Sequence, residues 1–352
     1  MEQKNIQAHD GWINAMAVTP DSRYLVSAGD DNTIRLWRVE DGVCIRAFTG
    51  HSHWVRAVIV MPDGRRILSG SMDNTLKLWN LQTGDCLRTF KGHGRGVTAI
   101  ALSADGSRVV SGGGDCDIRY WNVQSGKCLR ILEGHPSGMD RDGLNSLIRK
   151  TNAEIGYSDF LGDLQYSRTY RTEPLRFFGH GDPVTALGIT GDGKFIVSGS
   201  ADNTLRLWRV ETGECIWIFG CKSGGVVSPI EALAITADEK FVITAGSGLQ
   251  YWRLRRKRIC RLLWLLLKEL PRRNYDGEGI FYDIAVTADR KYMAVVEESG
   301  RRIAIRILGT GKLCHIIDIS PTPANVVAVS PDGKFIGAGG ISGVICIREV
   351  PE

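Results

Sequence analysis

Apolar residues fall along this chain in short runs of strand length, broken at near-regular intervals by turn residues. Between residues 55 and 90 four such runs follow one another: Val55–Met61, Arg66–Ser71, Thr75–Leu81 and Cys86–Phe90. Pro62-Asp63-Gly64, Met72-Asp73-Asn74 and Gln82-Thr83-Gly84-Asp85 separate them, and each is built of residues that tolerate a tight turn. Four short antiparallel strands make a sheet that cannot bury both of its faces alone. Stacking such sheets radially covers the faces and protects the edges.

The same pattern repeats almost verbatim. Gly50–Trp79 returns as Gly92–Trp121 and Gly179–Trp208, and once earlier as Ala8–Trp37 with Ala in place of the first Gly. Trp37, Trp79 and Trp121 are 42 residues apart, and Trp121 to Trp208 is 87, two periods and three residues over. A period near 42 that opens on Gly-His and closes on Trp marks the blade of a propeller. On these residues the chain resembles the WD40-repeat family, over nearly its whole length. The resemblance implies an all-β fold, a single toroidal propeller of four-stranded blades in one domain, residues 1–352. It also implies one hydrogen-bonded tetrad per regular unit: His9, Ser27, Asp31, Trp37; His51, Ser69, Asp73, Trp79; His93, Ser111, Asp115, Trp121; and His180, Ser198, Asp202, Trp208. A buried indole N–H, imidazole and carboxylate each need a partner, and a closed network supplies them. The Asp that usually follows the Trp in this family is replaced by Arg38, Asn80, Asn122, Arg209 and Arg253. That position lies outside the tetrad.

Residues 1–8 align with the fourth strand that precedes each later Gly-His, and the chain ends after a third strand, Val344–Val350. The N-terminal strand is therefore expected to complete the last blade and close the ring. Unit four, about 135–179, has lost the pattern, and residues 136–173 read as a diverged blade, an inserted excursion or a stretch translated in a shifted frame. Unit six keeps Trp252 without the tetrad His and Asp. Units seven and eight carry Arg306 and Arg348 in the Trp position. The count is eight blades if unit four is one, and seven otherwise, with an insertion near 262–275.

Composition changes the picture in two places. The formal net charge is +5, yet 253–273 holds nine Arg or Lys against one Glu, which leaves −3 for the remainder. No basic nucleic-acid face is indicated. The segment RLRRKRICRLLWLLLKELPRR is basic and then apolar. It reads as a strand with an irregular loop, as an amphipathic helix for an anionic membrane or a partner, or as a nucleic-acid contact. Of nine cysteines, Cys44, Cys86, Cys128 and Cys215 each stand seven residues after their Trp, in different blades, too far apart to pair. They read as small apolar residues in a protein of the reducing cytosol. The first residues, MEQKNIQAHDGW, carry no signal-peptide core, and the longest apolar run, Leu262–Leu267, falls short of a membrane span.

Catalytic motifs are weak. Gly188 to Lys194 matches a phosphate loop until Phe195 replaces the required Ser or Thr. Gly277-Glu278-Gly279 lacks the third Gly of a dinucleotide fingerprint. His51-Ser52-His53 has no further metal ligand placed by the sequence. No catalytic residue, metal or other cofactor is assigned. The expected function is a cytoplasmic scaffold for protein–protein interaction, monomeric, standing alone or as the sensor part of a larger signalling protein. A propeller hydrolase and a membrane-surface adaptor acting through 253–273 are the alternatives. In the family the residues at the entry to each first strand ring one mouth of the channel. By resemblance these are Trp12 and Asn14, Trp54 and Arg56, Gly96 and Thr98, Pro183 and Thr185, Glu231, Tyr282 and Asn325, with Met72 on the same face. Exposed Trp and Arg dominate binding hot spots, so Trp12, Asn14, Trp54, Arg56, Met72, Glu231 and Tyr282 are the candidate partner-binding residues.

Overall fold

The computed structural model of the chain describes residues 4–134, 179–220, 222–223, 226–227, 229–236, 241–246, 248–253, 281–287, 292–297, 300–307, 312–319 and 323–350. Every regular element in them is a β-strand. The second blade shows how the sequence builds each sheet. Val55–Val60, Arg66–Ser71, Thr75–Asn80 and Cys86–Lys91 pair in that order, all antiparallel. Its large buried side chains are apolar and face the neighbouring sheets. One cluster joins Leu68, Leu76, Leu78 and Phe90 of this blade to Val97, Val109 and Trp121 of the next.

Among the described residues the blades number seven. In chain order they span 13–48, 55–91, 97–132, 184–220, 232–253, 284–318 and 324–349. Their first strands pack on one another in sequence, and the seventh packs on the first, so the ring closes. Units one to three are blades one to three, and units five to eight are blades four to seven. No blade stands between Val97–Leu102 and Val184–Ile189, which are in direct contact. Glycine makes that contact possible. A Cβ on Gly112 would lie 2.5 Å from Val184 Cγ1, as one on Gly70 would lie 2.7 Å from Val97 Cγ1 and one on Gly199 2.6 Å from Ile230 Cγ2. The third and fourth blades thus use the same close approach as their neighbours. Gly134 and Gly179 meet where the chain leaves one and enters the other; a Cβ on Gly179 would collide with Glu133 O and Gly134 Cα. The three readings of 136–173, and the insertion near 262–275, fall on residues outside those described.

The N-terminal strand Lys4–Gln7 pairs antiparallel with Val344–Glu349, with Ile6 opposite Ile345. It is the fourth strand of the seventh blade, and Ile6 packs beside Trp37 and Val39 of the first. A side-chain staple crosses the rim as well. Arg46, Arg88 and Arg130, 42 residues apart on the outer strands, reach the turn of the following blade. Arg46 donates to Thr83 O at 3.0 Å, Arg88 to Ser125 O at 2.9 Å, and Arg130 to Thr212 O at 3.1 Å. At the closing seam Lys4 holds the equivalent place. Its Nζ donates to Val39 O at 3.1 Å and to Glu40 O.

The cysteines differ from expectation in part. Cys215 is buried and Cys128 half-buried, but Cys44 and Cys86 are exposed, because the outer strand has no further sheet on that side. All seven cysteines among the described residues are free thiols. Cys260 lies outside them.

Candidate functional site

Two sets of polar groups recur around the ring, and they differ in what solvent can reach. The first is the tetrad. In the second blade Trp79 Nε1 donates to Ser69 Oγ at 2.9 Å, and Ser69 Oγ lies 2.8 Å from His51 Nε2. His51 Nδ1 lies 2.6 Å from Asp73 Oδ2. Because the indole can only donate, the Ser hydroxyl donates onward to Nε2. That leaves the imidazole proton on Nδ1, where it donates to the carboxylate. The corresponding Trp–Ser, Ser–His and His–Asp distances are 2.9, 2.7 and 2.9 Å in the first blade. They are 2.8, 2.7 and 3.0 Å in the third and 2.8, 2.6 and 2.9 Å in the fourth. Each Asp also caps the turn after the second strand: Asp73 Oδ1 accepts Thr75 N at 3.0 Å and Thr75 Oγ1 at 2.6 Å. In the fifth blade Thr244 takes the Ser place and receives Trp252 Nε1 at 3.0 Å.

Ser, His and Asp in hydrogen-bond series also describe a nucleophile with its base and orienter. Here the hydroxyl is sealed: Ser27, Ser69, Ser111 and Ser198 are 0% exposed, and each is already taken by an indole N–H. The carboxylates are tuned for holding, not for transferring a proton. Burial alone would raise Asp31, Asp73 and Asp202, but the His and Thr hydrogen bonds outweigh it and hold all three well below the usual carboxylate range. Asp115 is lowered too: burial would raise it, but His93 and the backbone N–H groups of Gly94 and Asp117 outweigh it. The indole of Trp79 also meets Phe48 of the preceding blade edge-on, ring centroids 6.0 Å apart, so the tetrad fixes the contact between blades as well as its own sheet.

The second set rings the mouth. In five blades the first strand carries a β-bulge one residue after its entry, at Asn14, Arg56, Thr98, Thr185 and Asn325. A bulge re-aims its side chain away from the sheet. Glu231 and Tyr282 hold the matching places in the other two blades, their backbone N–H groups donating to Ala245 O and Val296 O. Four of the seven stitch blade to blade through a backbone carbonyl of the neighbour. Asn14 Nδ2 donates to Val55 O at 3.2 Å, and Asn325, its amide oriented to satisfy both, donates to Ile13 O and Gly339 O at 3.1 Å each. Thr98 Oγ1 donates to Val184 O and Thr185 Oγ1 to Ile230 O. Asn14 is fully engaged, donating also to Asp30 Oδ1 at 2.7 Å and accepting Arg56 Nη1 at 2.7 Å.

Solvent meets Trp12 and Trp54, which are 49% and 41% exposed, together with Tyr282 at 38%. Ile341, which the sequence did not single out, is 48% exposed at the position Met72 occupies in its own blade. Tyr282, Ile341, Trp12 and Trp54 belong to the sixth, seventh, first and second blades, which are consecutive around the ring. The third and fourth blades have Gly96 and Pro183 at the Trp position. Met72 is half-buried, and its Sδ fills the space a Cβ on Gly96 would need. Arg56 lies over Trp54, its Cζ 5.6 Å from the ring centroid, and His53 meets Trp54 edge-on at 5.0 Å. Glu231 is exposed, yet the loss of hydration at the mouth raises its carboxyl above the ordinary range. Among the described residues no group of His, Cys, Asp and Glu is placed to hold a metal ion, and no helix is long and apolar enough to cross a membrane. The basic and apolar segment 253–273 lies outside them beyond Arg253.

Antiparallel four-stranded blades, a closed ring and a Trp-Ser-His-Asp network repeated at a fixed offset define a repeat β-propeller. The model of the family described as WD domain, G-beta repeat matches residues 2–38, 42–80, 84–122 and 172–209. In those residues the chain carries four repeats of the WD40 family. It is similar to a ribosome biogenesis protein BOP1 homolog of Oryza sativa subsp. japonica, 49% identical over 57 residues, 16% of this chain and 8% of that protein. A probable E3 ubiquitin ligase complex SCF subunit sconB of Aspergillus clavatus is 47% identical over 45 residues, 13% of this chain and 6% of its own. DDB1- and CUL4-associated factor 13 of Dictyostelium discoideum is 38% identical over 39 residues, 11% and 9%. Each match is about one blade long and spans under a tenth of the relative's length.

Proposed function

We propose that the chain is one propeller domain that works as a non-catalytic platform for protein–protein interaction, with its partner site on the mouth ringed by the bulge residues. The observation that carries this reading is the distribution of exposure. The only Ser-His-Asp series among the described residues are sealed, while Tyr282, Ile341, Trp12 and Trp54 stand exposed on four consecutive blades of one face. Monomeric proteins seldom leave large aromatic side chains grouped at a surface without use. A rigid ring that presents loops is suited to this. Two of the similar proteins are named as a subunit of, or a factor associated with, a larger assembly. On this reading Trp12, Trp54, Arg56 and Tyr282 contact the partner directly, Glu231 and Met72 border it, and Asn14 positions Arg56. The platform acts as a cytoplasmic monomer, as an adaptor or as the sensor part of a signalling system.

Affinity capture with the wild-type chain, followed by quantitative mass spectrometry against a Trp12→Ala/Trp54→Ala double variant, tests it. Proteins retained by the wild type are expected to drop at least tenfold with the variant while its melting temperature holds. Unchanged retention by a folded variant places the site elsewhere.

A further inference from the structure

The mouth is divided in charge as well as in exposure, and the division names the kind of partner. Arg56 is the one basic side chain among the five bulge residues and the two at matching places. Its Nη1 donates to Asn14 Oδ1 at 2.7 Å and its guanidinium lies over Trp54, so the head group is held in place from two sides. Neither contact is an ion pair, and among the described residues no carboxylate pairs with it. Asp30, the acid nearest in the network, is engaged by the Asn14 amide at 2.7 Å. Arg56 is half-buried, and none of its N–H donors is a buried group left without a partner. Other arginines on this side of the ring do have carboxylates: Arg35 pairs with Asp31 at 3.2 Å and Arg119 with Asp117 at 3.2 Å. The entry loop of the next blade adds Arg95, exposed and in the place His53 takes in the second blade. The fourth and fifth blades put Asp182 and Glu231 at the mouth instead, and Asp10 stands exposed at the entry of the first. The positive sector is thus narrow, spans the second and third blades, and has the exposed indoles of Trp12 and Trp54 on one side.

We propose, resting on the reading that this mouth is the partner site, that the segment it takes is an extended protein stretch. That stretch presents an Asp or Glu side chain to Arg56, with an apolar side chain beside it for Trp12 and Trp54. A guanidinium oriented by an amide and backed by an indole is pre-organised for a planar carboxylate, which it meets with two parallel hydrogen bonds. The apolar anchor and the charged contact are close enough for neighbouring side chains of one strand-like segment. Asp182 and Glu231 disfavour acids at the far side of the mouth and so set the direction in which the segment lies.

The test uses the full chain, immobilised, and a phage-displayed library of random twelve-residue peptides as the probe. Selected peptides are resynthesised with each Asp or Glu replaced by Asn or Gln, and binding is read by fluorescence anisotropy. Expected results are enrichment of an acid next to an aliphatic or aromatic residue, a loss of at least tenfold on amide replacement, and a similar loss with Arg56→Gln. Arg56→Lys retains part of the affinity, and binding weakens as salt rises. Selected peptides that carry no acid, or that bind Arg56→Gln as well as wild type, overturn the proposal. If those same peptides lose binding to Trp12→Ala/Trp54→Ala, only the chemistry is wrong and the mouth stands. If they bind that double variant unchanged, or if nothing is selected, the mouth reading falls with it. Melting temperatures of the variants within a few degrees of wild type exclude misfolding, and Arg95→Gln, on an exposed loop, serves as a second variant with a smaller expected loss.

Discussion

Removing one hydroxyl from a tetrad is expected to cost more than its size suggests. Ser69→Ala takes away a single buried oxygen and leaves no void of consequence. That oxygen, however, receives Trp79 Nε1 at 2.9 Å and serves His51 Nε2 at 2.8 Å, and all three groups are buried. Alanine strands a donor and an acceptor together. A buried polar group without a partner costs about 1–3 kcal/mol, so the pair costs about 2–6 kcal/mol. Ser125, whose hydroxyl only accepts Lys127 N at 3.3 Å in an exposed turn, is the control; its backbone contacts survive the change, and Ser125→Ala should cost under about 0.5 kcal/mol. The assay is urea unfolding followed by tryptophan fluorescence, with the slope unchanged and the midpoint lowered. Ser69→Ala and Asp73→Ala should also be non-additive, because His51 links the two side chains, with a coupling of about 0.5–3 kcal/mol. A Ser69→Ala shift no larger than the control, or strict additivity with Asp73→Ala, would refute the view that the tetrad acts as one closed network.

Five further outcomes follow from the same geometry. Trp79→Ala should lower stability by about 3–5 kcal/mol, as loss of a large buried aromatic does, and a near-zero shift in the urea midpoint would contradict the packing described. Deleting residues 1–8 removes the strand paired with Val344–Glu349 and the Lys4 staple; light scattering should show concentration-dependent association with a lower melting temperature, and an unchanged monomer would count against closure. Asp31, Asp73 and Asp202 are held below their unfolded value of about 3.9, so their contribution is full above about pH 4 and lost as pH falls below it; urea midpoints that stay flat from pH 5 to 2.5 would oppose this. Burial raises the Asp283 carboxyl to about 6 although Val327 N and Ile284 N donate to it, so it works in the opposite sense, its contribution falling as pH rises through 6; Asp283→Asn keeps one acceptor oxygen for the two N–H groups, and its effect on the melting temperature should be more favourable at pH 7 than at pH 4. Cys116 adopts φ +67°, where Asn32, Asn74 and Asn203 stand in sister blades; since Asn tolerates that region better, Cys116→Asn should stabilise by about 0.4–1 kcal/mol.

The four tetrads were legible because the blade fixes the offsets: His to Ser, Asp and Trp keeps the same spacing in every regular unit, and the side chains meet whenever the strands pair in register. The mouth residues were legible for the same reason, as positions relative to the first strand. The seven-blade ring was not. Counting units along the chain cannot show that Gly134 and Gly179 abut, or that Gly112 lets the third blade close directly on Val184. The staple was visible in principle, as Arg46, Arg88 and Arg130 recur at the 42-residue period. An arginine two places after a cysteine gives no hint of the carbonyl it reaches until the next blade is in place. Nor could the sequence sort the mouth residues into those that stitch blades, such as Asn14 and Thr98, and those that face solvent, such as Trp12 and Trp54. A bulge sets direction, and the partner it finds belongs to another unit.

The central claim is that the ring is a rigid support and the mouth is where a partner sits. Hydrogen–deuterium exchange of the chain, alone and with a saturating captured partner, addresses both parts in one measurement. The account predicts slow exchange in the inner and middle strands in either state. It also predicts new protection confined to the entry loops at residues 10–14, 52–56 and 94–98 and at Tyr282 and Ile341. Protection that instead appears on the opposite face, at the turns 19–23 and 61–66, or along the outer strands, with the mouth unchanged, would contradict it.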